Sequence, residues 1–165
     1  MEPRFEQAEL VPRPTVRVVL LDEEDRLLLF SSIDDSDGHI FWYPVGGGRE
    51  EGETLEQTAV REAFEETGLT ELQLGPELWR RRKIACWDGV AYDCRENYFL
   101  ARVENFEVDT AGFTATERAS IKGYRWWTLD ELNATRDRLV PDDLRTLLAD
   151  LLICGPPAEP IILTA

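Results

Sequence analysis

One segment constrains this 165-residue chain more than any other: Gly47 to Leu69, GGREEGETLEQTAVREAFEETGL. Residues 54 to 67 of it predict a helix. Thr54 is placed to cap the N-terminus, and Gln57 three residues on can complete a capping box. Leu55, Ala59, Ala63 and Phe64 recur at helical spacing and are expected to face a core. Gly68 suits the left-handed position that ends a helix. Glu62, Glu65 and Glu66 stand at i, i+3 and i+4, so one helix face carries all three carboxylates. Like charges this close repel, and a bare helix gains nothing from them. Hard divalent cations reverse that cost, because Mg²⁺ and Mn²⁺ prefer carboxylate, carbonyl and water oxygens. Just upstream, Gly46-Gly47-Gly48 lets backbone come close to a ligand and offers carbonyls to a metal shell. Glu53 adds a carboxylate near the helix start, and Arg61 is placed to pair with Glu53 or Glu66.

The same residues carry a family resemblance. Gly47, five residues, Glu53, seven residues, Arg61-Glu62, Ala63, Phe64, Glu65-Glu66, Thr67, Gly68, Leu69 resembles the Nudix box, G-x5-E-x7-R-E-U-x-E-E-x-G-U with U aliphatic, at every fixed position. The resemblance implies an α/β/α sandwich with a mixed sheet between helices. It implies an enzyme, a hydrolase that cuts a diphosphate bond in a nucleoside diphosphate linked to another moiety, with Mg²⁺ or Mn²⁺ as cofactor. A nucleoside triphosphate or related nucleotide is the first choice of substrate. A nucleotide sugar or ADP-ribose is the alternative, and a regulatory module that binds nucleotide without hydrolysis is the rival of another class.

By the same resemblance Glu62, Glu65 and Glu66 are metal ligands, with the Gly46 carbonyl as a backbone ligand. Glu62, Glu66 and Arg61 are the catalytic candidates, while the general base is left open among the carboxylates. Gly47, Glu53 and Gly68 are structural, and the Arg61–Glu53 contact is architectural. A further ligand is expected from the loop after a hairpin: Glu117 first, with Glu104 and Glu107 as alternatives. The approach to the box departs from the usual W-x-x-P-G-G. Here Trp42-Tyr43-Pro44-Val45-Gly46-Gly47 puts Val45 in the proline slot while keeping the glycine pair.

Composition narrows the partners. A formal net charge of −15 argues against binding duplex DNA, which needs a basic surface to displace counterions. Metal ions resolve the conflict between an acidic protein and an anionic substrate, by making a carboxylate cluster locally electropositive. The basic run Arg80-Arg81-Arg82-Lys83 falls in an expected strand, where alternate side chains face opposite ways and at most two reach one site. It is read as a solvated strand face in preference to a phosphate clamp. The three cysteines, Cys86, Cys94 and Cys154, are widely spaced and read as ordinary thiols. His39 is the only histidine and sits in a polar loop, and no G-x-S-x-G elbow occurs, which sets aside a serine hydrolase. No stretch has the length and apolarity of a membrane span or a signal core, so a cytoplasmic protein is the expectation.

The chain is expected to form a single domain over residues 1–165. Residues 1–13 read as an N-terminal arm broken by Pro12 and Pro14, and residues 155–165 as a loosely held tail. Between them, strands are expected at 15–21, 26–30 and 41–45, then a hairpin of 77–87 and 90–103 turning at Asp88-Gly89. A looser segment, 104–120, precedes a strand at 123–127, a helical turn at 129–133 and an amphipathic helix at 141–154. Six aromatic residues, Phe41, Trp42, Tyr43, Trp87, Trp126 and Trp127, are read chiefly as core packing, with base stacking as the alternative. A homodimer is reasonable from the resemblance, through the arm or the hairpin edge.

Overall fold

A computed structural model describes residues 9–164, apart from the side chain of Trp87. In strand β1 (Val11–Leu21), Val16, Val18 and Leu20 join one buried cluster while Val19 and Leu21 join another. Strand β2 (Leu27–Ile33) divides likewise, Leu28 and Phe30 against Leu27 and Leu29. Side chains alternate faces along a strand, so an unbroken apolar run such as LLLF requires cover on both faces. The helices supply that cover. They follow in the order β3 (Ile40–Gly48), α1 (Leu55–Thr67), β4 (Leu74–Trp87), β5 (Val90–Arg102), α2 (Ala115–Ser120), β6 (Gly123–Trp127), α3 (Leu129–Ala134), β7 (Arg138–Leu139), α4 (Leu144–Cys154) and β8 (Ile161–Leu163).

The strands form one mixed sheet in the order β6-β2-β3-β1-β5-β4-β8, with β7 beside β3. At its centre β1 runs parallel to β5 over its whole length, from Val11 opposite Tyr92 to Leu21 opposite Arg102. It runs antiparallel to β3, where Arg17 faces Gly46. The β4–β5 hairpin closes through Asp88 and Gly89 at φ 51° and 74°, the positive values a two-residue turn demands. Ala59 and Ala63 of α1 pack with Val16, Val18 and Phe99 on one face of the sheet. On the other face Leu132 of α3 and Leu144, Leu147, Leu148 and Leu151 of α4 pack with Val19, Trp79, Tyr98 and Trp127. Each such leucine contributes about 1.5–3 kcal/mol of burial. The result is the expected α/β/α sandwich.

Four expectations are corrected. Residues 11–13 of the supposed arm belong to β1, while residues 1–8 lie outside the described residues. Pro12 and Pro14 are tolerated because their stretch of β1 pairs on one side only, with β5, and antiparallel pairing to β3 begins at Thr15. The tail is not loose at its end: Ile161–Leu163 forms β8, parallel to Trp79–Arg81 at the sheet edge, and Leu163 packs on the core. The segment 104–120 contains a helix, α2. Phe64 faces away from the core and is 52% exposed, because the buried face of α1 runs through Thr58, Ala59, Glu62, Ala63 and Glu66.

Candidate active site

The start and end of α1 are pinned by local bonds. The Thr54 hydroxyl accepts the Gln57 N–H at 3.1 Å, and the Gln57 side chain accepts the Thr54 N–H at 2.9 Å. Gly68, at φ 77°, donates its N–H to the Phe64 carbonyl at 2.8 Å. Between these ends Glu62 and Glu66, one turn apart, lie on the buried face, 8% and 3% exposed. Glu117 comes from α2, whose N-terminus is set by a second capping box. Its backbone N–H donates to the Thr114 hydroxyl at 3.2 Å, and its Oε1 accepts the Thr114 N–H at 3.0 Å. One carboxylate oxygen from each of Glu62, Glu66 and Glu117 lies within 4.8 Å of the others.

The structure thus joins two of the three α1 glutamates to Glu117. Glu65 lines the same cavity but stands outside this trio, with Oε2 3.2 Å from Arg61. Glu104 and Glu107 are not among the cavity's residues, and Glu107 lines a separate depression with Asp22 and Arg26. The missed helix α2 had a signal: Thr114-x-x-Glu117 is the same capping pattern as Thr54-x-x-Gln57.

Arg61 is the hub of the ion pairs. Its Nε and Nη2 grip Glu53 at 2.5 and 3.0 Å, Nη2 donates to the Gly48 carbonyl at 3.0 Å, and Nη1 reaches Glu62 at 3.0 Å. Of its two anticipated partners it holds Glu53 and not Glu66. This contact holds the Glu53 carboxyl down at about 2. Burial raises Glu62 above the usual carboxylate range, against the opposing pull of Arg61. Burial likewise pushes Glu66 up to about 9, helped by the charges of Glu62 and Glu117 and opposed by Arg17. Glu66 accepts one hydrogen bond, a 3.3 Å contact from the Gly46 N–H, and among the described residues it forms no ion pair within 4 Å.

The glycines beside these carboxylates are there for space. A Cβ on Gly47 would sit 2.4 Å from Glu62 Oε1. A Cβ on Gly46, at φ 153°, would sit 1.9 Å from the Val16 carbonyl oxygen. The Gly46 carbonyl faces Arg17, whose Nη1 lies 3.3 Å away and also donates to the Pro44 carbonyl at 3.2 Å. Val45, in the slot where proline was expected, is fully buried in the core on the α1 side.

The trio opens into a cavity of about 530 Å³. Phe41 and Tyr43 line it, and their rings lie 5.5 Å apart. Trp42 and Trp127 instead meet edge to face in the core on the α4 side. Trp126 packs on the α1-side core, and the side chain of Trp87 lies outside the described residues. His39 is exposed beside Asp37, away from this cavity. The basic run departs from expectation: Arg81 and Lys83 line the cavity, so only half of the run is a solvated face. Arg17 was not singled out in the sequence, since it stands alone in an apolar strand.

The donor set suits a hard cation. Three carboxylates converge with two of them buried, and among the described residues Glu66 has no ion pair within 4 Å. Buried carboxylates without compensating charge are costly, and oxygen-rich clusters of this kind match divalent metals.

Comparison with known proteins gives the family and the fold. The NUDIX domain family profile matches residues 11–150. The chain belongs to the NUDIX family. It is similar to an RNA pyrophosphohydrolase of Wolbachia pipientis subsp. Culex pipiens (strain wPip), at 27% identity over 74% of this chain and 78% of that protein. It is also similar to the RNA pyrophosphohydrolase of Cereibacter sphaeroides (strain ATCC 17029 / ATH 2.4.9), at 29% identity over 81% and 86%. Among solved structures, a MutT protein from Bacillus halodurans superposes with a TM-score of 0.61 at 18% identity, covering 87% of this chain and 84% of that one. A C. elegans Ap4A hydrolase superposes with a TM-score of 0.58 at 19% identity, covering 85% and 95%. These structures share the fold. As a NUDIX pyrophosphohydrolase the chain cleaves a diphosphate bond in a nucleotide-linked substrate, and the family is generally dependent on divalent metal. No helix among the described residues is long and apolar enough to cross a membrane.

Proposed function

We propose that this NUDIX hydrolase uses Mg²⁺ or Mn²⁺ to cleave the diphosphate bond of a nucleoside triphosphate or related nucleotide, and that Glu62, Glu66 and Glu117 hold the metal. The observation that carries this reading is the convergence of their oxygens within 4.8 Å in the wall of the cavity. Glu65, one step outside the trio, and the Gly46 carbonyl are further candidate ligands on the same wall. A cation bound there supplies charge neutralisation of the phosphate oxygens and a lowered pKa for attacking water.

The protein's own residues do the rest. Arg61 fixes Glu62 from one side while Glu53 and the Gly48 carbonyl fix Arg61. A carboxylate held by so many bonds keeps its place without reorganising during reaction. Gly46 donates its N–H to Glu66 and orients that carboxylate. The proton of the attacking water passes to one of the carboxylates of the cavity. Tyr43 and Phe41 offer an apolar wall on which a base can rest.

The names of the sequence relatives, RNA pyrophosphohydrolases, add RNA as a second substrate form. The test is product analysis on nucleoside triphosphates, nucleotide sugars, ADP-ribose, dinucleoside polyphosphates and a 5′-triphosphorylated RNA. Each is run with Mg²⁺, with Mn²⁺ and with chelator, and with Glu66→Gln as the blank. Metal-dependent cleavage that the variant loses is expected. Binding of nucleotide without any product would replace this reading with a nucleotide-sensing module.

A further inference from the structure

We infer that Arg81 and Lys83 of β4, with Arg17 of β1, form a subsite for the phosphate chain of a nucleotide carrying three or more phosphates. This deepens the pyrophosphohydrolase reading and rests on it. The run Arg80-Arg81-Arg82-Lys83 is divided by the strand into two pairs with different partners. Arg80 pairs with Glu77, and Arg82 grips Asp93 at 2.7 and 3.3 Å. Their side chains are 54% and 60% exposed, and neither lines the cavity. Arg81 and Lys83 take the opposite face, half-buried against the cavity, at sites about 7 Å apart along the strand.

The two members of this second pair differ: Arg81 is partly engaged, and Lys83 is not. Arg81 makes one long contact, Nη1 to Glu96 Oε2 at 3.4 Å, and that oxygen already accepts the Tyr98 hydroxyl at 2.7 Å. The Tyr98 oxygen also acts on Arg81, so Glu96 and Tyr98 engage part of its five-donor guanidinium and leave the rest for a ligand. Among the described residues the Lys83 ammonium has neither hydrogen bond nor ion pair, although the side chain is half out of water. Arg17 lines the same cavity, with Nη1 donating to the Pro44 and Gly46 carbonyls. It rests over the Tyr43 ring at 5.4 Å, and its charge acts on Glu66. Arg61, the remaining cation of the cavity, is saturated by Glu53, Glu62 and Glu65.

The cavity thus carries the carboxylates of α1 and α2 together with cations of β1 and β4, of which Arg81 is paired with Glu96. A linear phosphate chain is the ligand that uses both sets at once. The bond to be cut belongs at the carboxylates, and a nucleotide sugar, with two phosphates, has none left for the cations. A third phosphate has three oxygens for Arg81 and Lys83, which is how guanidinium and ammonium groups recognise phosphate. Free nucleoside triphosphates and the 5′-triphosphate end of RNA share this chemistry.

The experiment is steady-state kinetics on GTP, a 5′-triphosphorylated RNA oligonucleotide and ADP-ribose with Mg²⁺, for wild type, Lys83→Ala, Lys83→Glu, Arg80→Ala and Arg82→Ala. A charged hydrogen bond corresponds to about 10-fold or more in affinity. Lys83→Ala is expected to raise KM for the triphosphates about 10-fold with kcat little changed, and Lys83→Glu to raise it further. ADP-ribose kinetics should not respond to Lys83, and the Arg80 and Arg82 variants should match wild type. The better of the two triphosphates identifies the source, and either one supports the subsite. A thermal melt with Mg²⁺ and inorganic tripolyphosphate reads binding without turnover. Its stabilising shift should be lost in Lys83→Glu. Unchanged triphosphate KM in both Lys83 variants, or wild-type preference for ADP-ribose, overturns the inference. Failure of the pyrophosphohydrolase reading looks different: wild type cuts nothing, or Glu66→Gln stays fully active. Even then, a tripolyphosphate shift that ignores Lys83 overturns the subsite.

Discussion

Replacing Gly47 with alanine separates the architecture of this site from the stability of the fold. The added Cβ would stand 2.4 Å from Glu62 Oε1, where ordinary contact begins at 3.4 Å, so the carboxylate must withdraw by about 1 Å. Metal–oxygen distances tolerate about 0.2 Å. Misplacement of a reacting or ligating group by about 1 Å costs on the order of 100-fold in rate. That corresponds to about 2.7 kcal/mol of barrier. The fold is expected to absorb the change, because Gly47 has no left-handed φ and the atoms it meets are the far end of a flexible side chain. Gly47→Ala should therefore lower kcat/KM about 100-fold while its melting temperature stays near wild type. Repeating the substitution in a Glu62→Ala background supplies the control, since coupled neighbours are non-additive. With the carboxylate gone, Gly47→Ala should cost little more. Activity within about threefold of wild type, or an equal 100-fold loss without Glu62, would refute the steric argument.

The neighbouring glycine should behave in the opposite way. Gly46→Ala forces a Cβ to 1.9 Å from the Val16 carbonyl at φ 153°, and urea unfolding should show roughly 3 kcal/mol or more of lost stability. Glu66→Gln replaces a carboxyl that must take up a proton to fold with a neutral amide, so the metal-free protein should melt higher than wild type at neutral pH while losing the stabilisation that added Mn²⁺ confers. The pH dependence has a definite sign. With its native pKa raised to about 9 from an ordinary 4.5, Glu66 keeps a proton in the folded state that the unfolded chain gives up. The Glu66 contribution to metal-free stability, read as the difference between wild type and Glu66→Gln, should then be greatest below about 4.5 and fall as pH rises towards about 9, and saturating Mg²⁺ should flatten that slope in melts across the range. Thr114→Ala breaks the cap that seats Glu117. It should weaken apparent Mg²⁺ affinity with little change in the global melt, because α2 buries no residue.

These predictions act on features of unequal visibility in the sequence. The helix α1 was legible from Thr54 to Gly68 because its signals are local: a cap, its reciprocal partner three residues on, and a glycine able to hold φ 77°. Its inward face was less so. Counting apolar residues alone puts Phe64 inside, whereas two glutamates occupy the buried stripe and Phe64 lies outside it. Hydrophobic periodicity cannot anticipate a buried carboxylate, because the reason for burying it lies on other elements. The prolines near the N-terminus misled for a related reason. A missing N–H ends a strand only where a partner needs that donor, and β1 has one neighbour at Pro12 and Pro14. Likewise a three-residue strand such as β8 has no period of its own to display; β4 gives it a place.

The site divides along the same line. Arg61, Glu62 and Glu66 lie within six consecutive positions, and helical geometry alone puts them together. Glu117 lies far along the chain, and what fixes its position is a cap, Thr114, that repeats the α1 signal on a helix of only six residues. Arg17, Arg81 and Lys83 show the remaining difficulty. Strand alternation limited the basic run to two side chains per face, yet which pair turned inward depended on the register of β4 against β5, where Arg81 meets Glu96 and Lys83 meets Cys94. The bulges between Leu74 and Trp79 shift that register, and slipping a strand by one residue exchanges its faces. A single residue inserted or removed there would turn Arg80 and Arg82 towards the cavity and carry Arg81 and Lys83 out to solvent. The cationic part of the cavity therefore depends on backbone irregularity before the run as much as on the four basic residues within it.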